Sequence, residues 1–283
     1  MYRAKEQGKN NVITYNSNIE QRIIDKLTFE VELRNAIEND ELVLYYQPQI
    51  DLETKEIVGA EALLRWNHPT LGLIFPGDII PFAEEMGMAD ELGEWVLQNA
   101  CHQLKYWQDS GFPSLKVAVN ISPQDFLKNG LVERVKQVLE MTKLEPKSLE
   151  LEITESMTMD VNHAITILEN LNELGVQIAI DDFGIGYSSL NYLKNFPIHH
   201  LKIDRSFVND ILNDQNDVKI ISAIVSLAHG LNLDVIAEGV ETKEQADFLS
   251  NLHCDQVQGY YYSKPVKPGE FEEILRLGFM KHE

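Results

Sequence analysis

Glu61, Asn120, Glu152, Asp181, Asp182, Lys202 and Glu238 each lie in or at the end of a short apolar run of this chain. Five of the seven are carboxylates. Gathered in one place they would repel one another, and a bound divalent cation offsets such repulsion. Oxygen ligands of this kind suit Mg²⁺ or Mn²⁺ rather than zinc, which prefers nitrogen and sulfur. Five carboxylates exceed what one ion needs, so two ions are expected, an arrangement that serves phosphate-ester hydrolysis. The stretch around which the rest is organised is Val176–Leu190, VQIAIDDFGIGYSSL. Its β-branched first half, Val176–Ile180, reads as a buried strand that delivers Asp181 and Asp182 at its end. Gly184 and Gly186 then interrupt regular structure, and a helix is expected over Tyr187–Asn195, capped near Ser188 or Ser189. Taken alone, the Asp pair has a plainer reading: one caps the helix and the other is solvated.

The elements that must position these groups alternate. Strand-like runs fall at Leu42–Ile50, Val58–Trp66, Leu115–Ile121, Leu149–Thr154, Val176–Ile180, His200–Ile203, Leu233–Ala237 and Gln256–Tyr262. Helical patterns lie at Pro76–Met86, Asp90–Asp109, Leu131–Met141, Asn162–Leu174, Tyr187–Asn195, Asp217–His229 and Lys243–Leu252, with a last one at Pro268–Leu277. Eight strands with intervening helices in 283 residues predict an α/β fold of the TIM type, a (β/α)8 barrel. The connection between the first two strands, seven residues, is too short for a parallel crossover, so the first strand is expected to run antiparallel to the rest. Barrel chemistry sits at the C-terminal strand ends, which is where the seven residues fall. Their separations fit one rim: 32 residues from Asn120 to Glu152, 29 to Asp181, 21 to Lys202 and 36 to Glu238. The 59 residues between Glu61 and Asn120 fit a unit with two helices.

Composition excludes other classes. A net charge of −21 and the lack of a basic stripe argue against duplex nucleic acid as a partner, while a small anionic substrate is compatible if metal ions supply positive charge locally. Cys101 and Cys254 lie in different elements with no CxxC spacing, which reads as reduced, buried thiols in a cytoplasmic protein. No signal peptide or membrane-spanning apolar run is evident. His199–His200 is the only close histidine pair, and adjacent strand residues point to opposite faces, so it makes a poor chelate.

The motifs YYQPQI (Tyr45–Ile50), EALLRW (Glu61–Trp66), VNIS (Val119–Ser122), ELEITES (Glu150–Ser156), DDFGIGYSSL (Asp181–Leu190), LKIDRSF (Leu201–Phe207), EGVET (Glu238–Thr242) and QGYYYSKP (Gln258–Pro265) occur in that order. Together they resemble the EAL domain, the bacterial phosphodiesterase module for cyclic di-GMP, over nearly the whole chain. The resemblance implies hydrolysis of one phosphodiester bond of cyclic di-GMP to linear 5′-pGpG. It also implies ligands for one metal at Glu61, Asn120, Glu152 and Asp181, and a second ion held by Asp181 and Asp182 with Glu238 nearby. Lys202 would contact the attacking water, and Glu155 would anchor the loop Asp182–Ser189. Gln47, Arg65, Asp204, Glu241 and Gln258 match positions that contact substrate or support the site. Lys202, Glu238 and the activated water itself stay open as the base. Two departures from the family pattern stand out: Ile185 where a threonine is usual, and His199 where an acid is frequent. Neither removes a ligand.

MYRAKEQGKNN resembles the end of a GGDEF (diguanylate cyclase) domain. Residues 1–16 are therefore read as the remnant of such a domain, 17–39 as a connecting helix and 40–283 as the EAL barrel. The parent protein is expected to carry an upstream GGDEF domain, with room for sensory domains and a membrane anchor beyond it. The resemblance further implies a homodimer, with helix Asp217–His229 the expected contact. Two other functions compete with the enzyme. One is a catalytically idle cyclic di-GMP-binding module, which would usually have lost one of the ligands. The other is a metal-dependent lyase or enolase-type barrel, for which Lys202 is the only obvious candidate base.

Overall fold

The structure, a computed structural model, describes residues 29–128, 130–185 and 193–278. A helix whose described part is residues 29–38 (α1) leads into a hairpin of β1 (Leu42–Asp51) and β2 (Ile57–His68). A short strand β3 (Gly72–Ile74), α2 (Pro76–Met86) and α3 (Ala89–Asp109) follow. Next come β4 (Lys116–Asn120), α4 (Pro123–Leu127), α5 (Leu131–Thr142), β5 (Leu149–Thr154), α6 (Val161–Leu174) and β6 (Gln177–Phe183). The chain continues through β7 (His200–Ile203), α7 (Arg205–Asn209), α8 (Gln215–Gly230), β8 (Asp234–Ala237), α9 (Lys243–Asn251), β9 (Gln256–Val257) and α10 (Pro268–Leu277).

The strands close into the expected barrel. β2 and β4 through β9 pair in parallel in the order of the chain, while β1 is antiparallel to both of its neighbours, β2 and β9. β3 lies outside the ring as an antiparallel extension of β2. Side chains alternate along each strand. On β5, Leu149, Leu151 and Ile153 face the helices, and on β7 so do Leu201 and Ile203, all essentially buried. The opposite positions turn inward, and they are Glu150, Glu152, His200 and Lys202. A barrel interior is usually filled by branched apolar side chains; here much of it is polar.

α1 docks on the outside of the β2 end. Leu33 and Ala36 are fully buried there, and Phe29 packs edge-on against Trp66 and Phe82 with ring centroids 4.9 and 4.3 Å away. Both cysteines are free and buried, and burial pushes both thiols up to about 12, so neither is a reactive thiolate at neutral pH. Among the described residues no helix is long and apolar enough to cross a membrane.

Three sequence expectations change, and a fourth lies mostly outside the described residues. The last strand ends at Val257 rather than Tyr262. From there the backbone pairs with the loop after β8: Val240 N–H donates to Gln258 O at 3.1 Å and Tyr261 N–H to Val240 O at 2.9 Å. Only glycine fits at 259, because a Cβ there would lie 2.0 Å from Val240 O. β6 runs past Ile180 to Phe183, so Asp181 and Asp182 belong to the strand itself. β3, α4 and α7, at three to five residues, are too short for periodicity to reveal. Finally, the helix expected over Tyr187–Asn195 falls mostly on residues 186–192, outside the described residues, as do residues 1–28 with their GGDEF-like segment.

Candidate active site

Lys202 is the hub. β7 carries it inward to full burial, and four carboxylates from four other strands surround its ammonium. Glu152 Oε1 from β5 and Glu238 Oε1 from the end of β8 are each 2.7 Å from Nζ. Asp181 Oδ1 from β6 is at 3.4 Å and Glu61 Oε2 from β2 at 3.9 Å. They act as close ion pairs rather than as well-directed hydrogen bonds. Burial opposes the charge on Lys202, but the carboxylates outweigh it and hold the ammonium well above its usual range.

One cation does not balance four anions. Burial, with Glu61 and Asp181 adding to it, pushes the Glu152 carboxyl well above the usual range against the pull of Lys202. Glu238 is pushed up to about 7, first by burial and then by Asp181 and Glu61, with Lys202 opposing. Asp182 is raised by burial and by Asp181 and Asp204. Asp204 also caps α7, its Oδ1 accepting from Ser206 N–H at 2.8 Å.

The two aspartates reach the same region because β6 breaks its register between Ile180 and Phe183. Asp182 takes a left-handed backbone, φ 55°, and its N–H donates to Asp181 Oδ1 at 2.9 Å. That conformation costs about 1 kcal/mol or more in a non-glycine residue and persists only where surrounding structure enforces it. Glu155, opening a 3-10 turn after β5, accepts Gly184 N–H at 3.1 Å and so ties down the start of the loop after β6. Ile185 in that loop is 60% exposed.

On the opposite wall the β1–β2 register sets Gln47 beside Glu61. Gln258 Nε2 donates to Glu61 Oε2 at 2.5 Å and to Gln47 Oε1 at 3.1 Å, and Asn120 Nδ2 donates to Glu61 Oε1 at 2.6 Å. Gln47 Nε2 in turn donates to Ser263 O at 3.0 Å. Arg65, four residues beyond Glu61 on the same face of β2, is 7% exposed and donates from Nη1 to Leu64 O at 2.7 Å. Glu241 stays apart: its side chain is exposed, and its backbone N–H donates to Gln245 Oε1 at 2.8 Å. His199 is peripheral, its Nδ1 accepting Ile178 N–H at 3.1 Å.

The residues expected around one rim thus do gather, with Lys202 at the centre. Among the described residues, no three acidic or histidine side chains close around a single point tightly enough to hold an ion. The donor chemistry nevertheless fits hard cations. Glu152 Oε2 is buried without a hydrogen-bond partner, and the raised carboxyls mark more negative charge than Lys202 neutralises. Motif reasoning missed the aromatic surroundings of Arg65, namely Tyr45 and Phe75. Alternation on β1 from Gln47 would have placed Tyr45 on the inner face, but no local signal marks Phe75.

The strands thus close into an α/β barrel of the TIM type with an acidic, lysine-centred mouth. Residues 30–265 match the family described as the EAL domain, and the chain belongs to that family. It is 46% identical over 267 residues to the bifunctional diguanylate cyclase/cyclic di-GMP phosphodiesterase MucR of Pseudomonas aeruginosa, covering 94% of this chain and 39% of that protein. It is 44% identical to the cyclic di-GMP phosphodiesterase NbdA of the same organism, covering 98% of this chain and 35% of NbdA. The chain therefore spans well under half the length of these relatives. A solved structure described as the PaMucR phosphodiesterase in complex with c-di-GMP superimposes with a TM-score of 0.84 at 46% identity, covering 86% of this chain and 99% of that one.

Proposed function

We propose that this chain is a cyclic di-GMP phosphodiesterase that opens one phosphodiester bond to give linear 5′-pGpG. The observation that carries the reading is the fully buried Lys202 ringed by Glu61, Glu152, Asp181 and Glu238 at the mouth of an EAL-family barrel. Glu61, Asn120, Glu152, Asp181, Asp182 and Glu238 would hold two Mg²⁺ or Mn²⁺ ions. When bound, the ions would supply charge that polarises a phosphodiester and acidifies water.

The chain's own residues do the rest. Lys202, paired with two carboxylates at 2.7 Å, keeps its proton and works as a fixed positive charge beside the developing negative charge, not as a base. The Glu238 side chain is 19% exposed, against 14% for Asp181 and none for Glu152, so Glu238 is the carboxylate around Lys202 most open to water and the one suited to take its proton. Arg65, Gln47 and Gln258 orient the substrate from the β1–β2 wall, Asp204 supports Asp182, and Glu155 holds the loop after β6. Glu241 supports the site from outside the cluster. The same reading includes a cytoplasmic location, a homodimer joined through α8, and a longer parent with a GGDEF domain upstream, the last resting on the MYRAKEQGKNN resemblance and on the greater length of MucR.

Incubating the purified chain with cyclic di-GMP and Mg²⁺ or Mn²⁺, with and without chelator, and separating products by chromatography tests the reading. Chelator-sensitive release of pGpG is expected. Binding of cyclic di-GMP without hydrolysis in either metal overturns the enzyme and leaves a binding module.

A further inference from the structure

Arg65 carries a buried positive charge at the rim, and the EAL motif does not say what holds it in place. The structure does. Its guanidinium carbon lies 5.4 Å from the Tyr45 ring centroid and 5.1 Å from that of Phe75. Tyr45 pairs with Leu63 in the β1–β2 register, so it is a diagonal neighbour of Arg65 on the inner face of the hairpin. Phe75 arrives from elsewhere: β3 folds back on β2, pairing Ile74 with Trp66, and Phe75 follows as the residue preceding α2. The turn that makes this possible is organised by His68, whose Nδ1 accepts the N–H groups of Thr70 and Leu71 at 3.2 and 3.3 Å.

Exposure separates the two sides of this contact. Phe75 is 52% exposed while Arg65 is 7% exposed. A phenylalanine left this open adds little to the core, and its ring covers the guanidinium instead. Cation–π contact uses the face of the guanidinium and none of its N–H donors. One Nη1 donor is taken by Leu64 O. The remaining donors lie in the guanidinium plane, the geometry that suits bidentate recognition of phosphate oxygens.

We propose that Tyr45 and Phe75 form an aromatic clamp that fixes Arg65 edge-on to the substrate phosphodiester, making Phe75 a positioning residue for substrate binding. This rests on the phosphodiesterase reading. The clamp acts on affinity rather than on the bond-breaking step, because Arg65 stands away from the Lys202 cluster.

The test is a set of Phe75 variants assayed with cyclic di-GMP. Phe75→Leu keeps apolar bulk and removes the π face; it should raise KM about three- to tenfold with kcat and melting temperature unchanged. Phe75→Tyr keeps the face and should restore the parent KM. In an Arg65→Ala background, Phe75→Leu should add nothing, since the group it positions is gone. Equilibrium binding of cyclic di-GMP by calorimetry gives the same comparison where turnover is too slow to fit. An unchanged KM in Phe75→Leu overturns the clamp, and so does failure of Phe75→Tyr to rescue. An equal rise with and without Arg65 also overturns it, by showing that the ring touches substrate directly. A parent chain that neither binds nor cleaves cyclic di-GMP overturns the functional reading and the clamp together, whereas an active parent with an indifferent Phe75 removes the clamp alone.

Discussion

β5 and β7 each turn two side chains into the barrel, and the two rows behave in opposite ways. At the floor, Glu150 of β5 is in close contact with His200 of β7, and His200 Nε2 lies 3.8 Å from Asp234 Oδ2. One step towards the mouth, Glu152 meets Lys202 at 2.7 Å. Both pairs are buried and both join an acid to a base on the same two strands. Yet burial is overcome at Glu150, where His200, Lys202 and Lys116 hold the carboxyl below its usual range, whereas Glu152 is driven well above it. The difference comes from the other strands. At the floor β2 offers Gly59 and β4 offers Lys116; at the mouth β2 offers Glu61 and β6 offers Asp181. Gly59 matters by its size, because a Cβ there would meet Gln49 Oε1 at 2.6 Å as that side chain crosses the floor. The floor is a balanced pair that holds strands together, and the mouth is a cluster with more negative charge than its lysine neutralises.

The largest expected effect is on activity at the mouth. Lys202→Met should lower pGpG formation by about 100- to 1000-fold, the range for losing a preorganised charge that faces a developing anion. Turnover as active as the parent's would remove Lys202 from the mechanism.

The paired substitutions Glu152→Gln and Glu150→Gln strike the comparison directly. Glu152→Gln should cost activity on a similar scale while leaving urea stability in chelator equal or higher, because it relieves repulsion among carboxylates. Glu150→Gln should do the reverse, losing about 3 kcal/mol of stability by leaving half of a buried pair, with kcat per folded molecule retained. If both variants lose stability alike, the two rows are not different in kind.

pH gives the next test. The His200 proton is opposed by burial but held by Glu150, so its folded pKa is raised. Its contribution is complete below about 6.5, the unfolded value, and is lost as pH rises through the folded one. Glu150 is lowered, so its contribution is complete above about 4.3 and is lost as pH falls through its folded value. The stability gap between parent and Glu150→Gln should therefore be widest between about pH 4.3 and 6.5 and narrow on the alkaline side. Urea unfolding at pH 5.5 and pH 9 measures it, and a gap that widens at pH 9 contradicts the assignment.

The smallest effect is on melting temperature. Mg²⁺ or Mn²⁺ should raise it by a few degrees through binding to the folded state alone. Glu150→Gln should keep that rise and Glu152→Gln should lose most of it, as read by calorimetry with and without chelator.

Much of this molecule was legible before folding. Alternating strand and helix patterns located the barrel, the short β1–β2 connection set its antiparallel strand, and regular spacing put Glu61, Asn120, Glu152, Asp181, Lys202 and Glu238 on one rim. Those features are local: period, length and residue type carry them. Only the tertiary structure decided that Lys202 is the centre of the rim, because a lysine's neighbours come from four strands distant in sequence. It alone separated Glu150 from Glu152, two identical residues two positions apart, by what Glu61 and Asp181 bring from β2 and β6. It alone showed the left-handed backbone at Asp182, which a register break in β6 imposes, and the ring of Phe75 on Arg65, which depends on a three-residue strand too short to leave a periodic signal. Residue chemistry is written along the chain, but charge balance and close contact are properties of the enclosed space that the closed barrel creates.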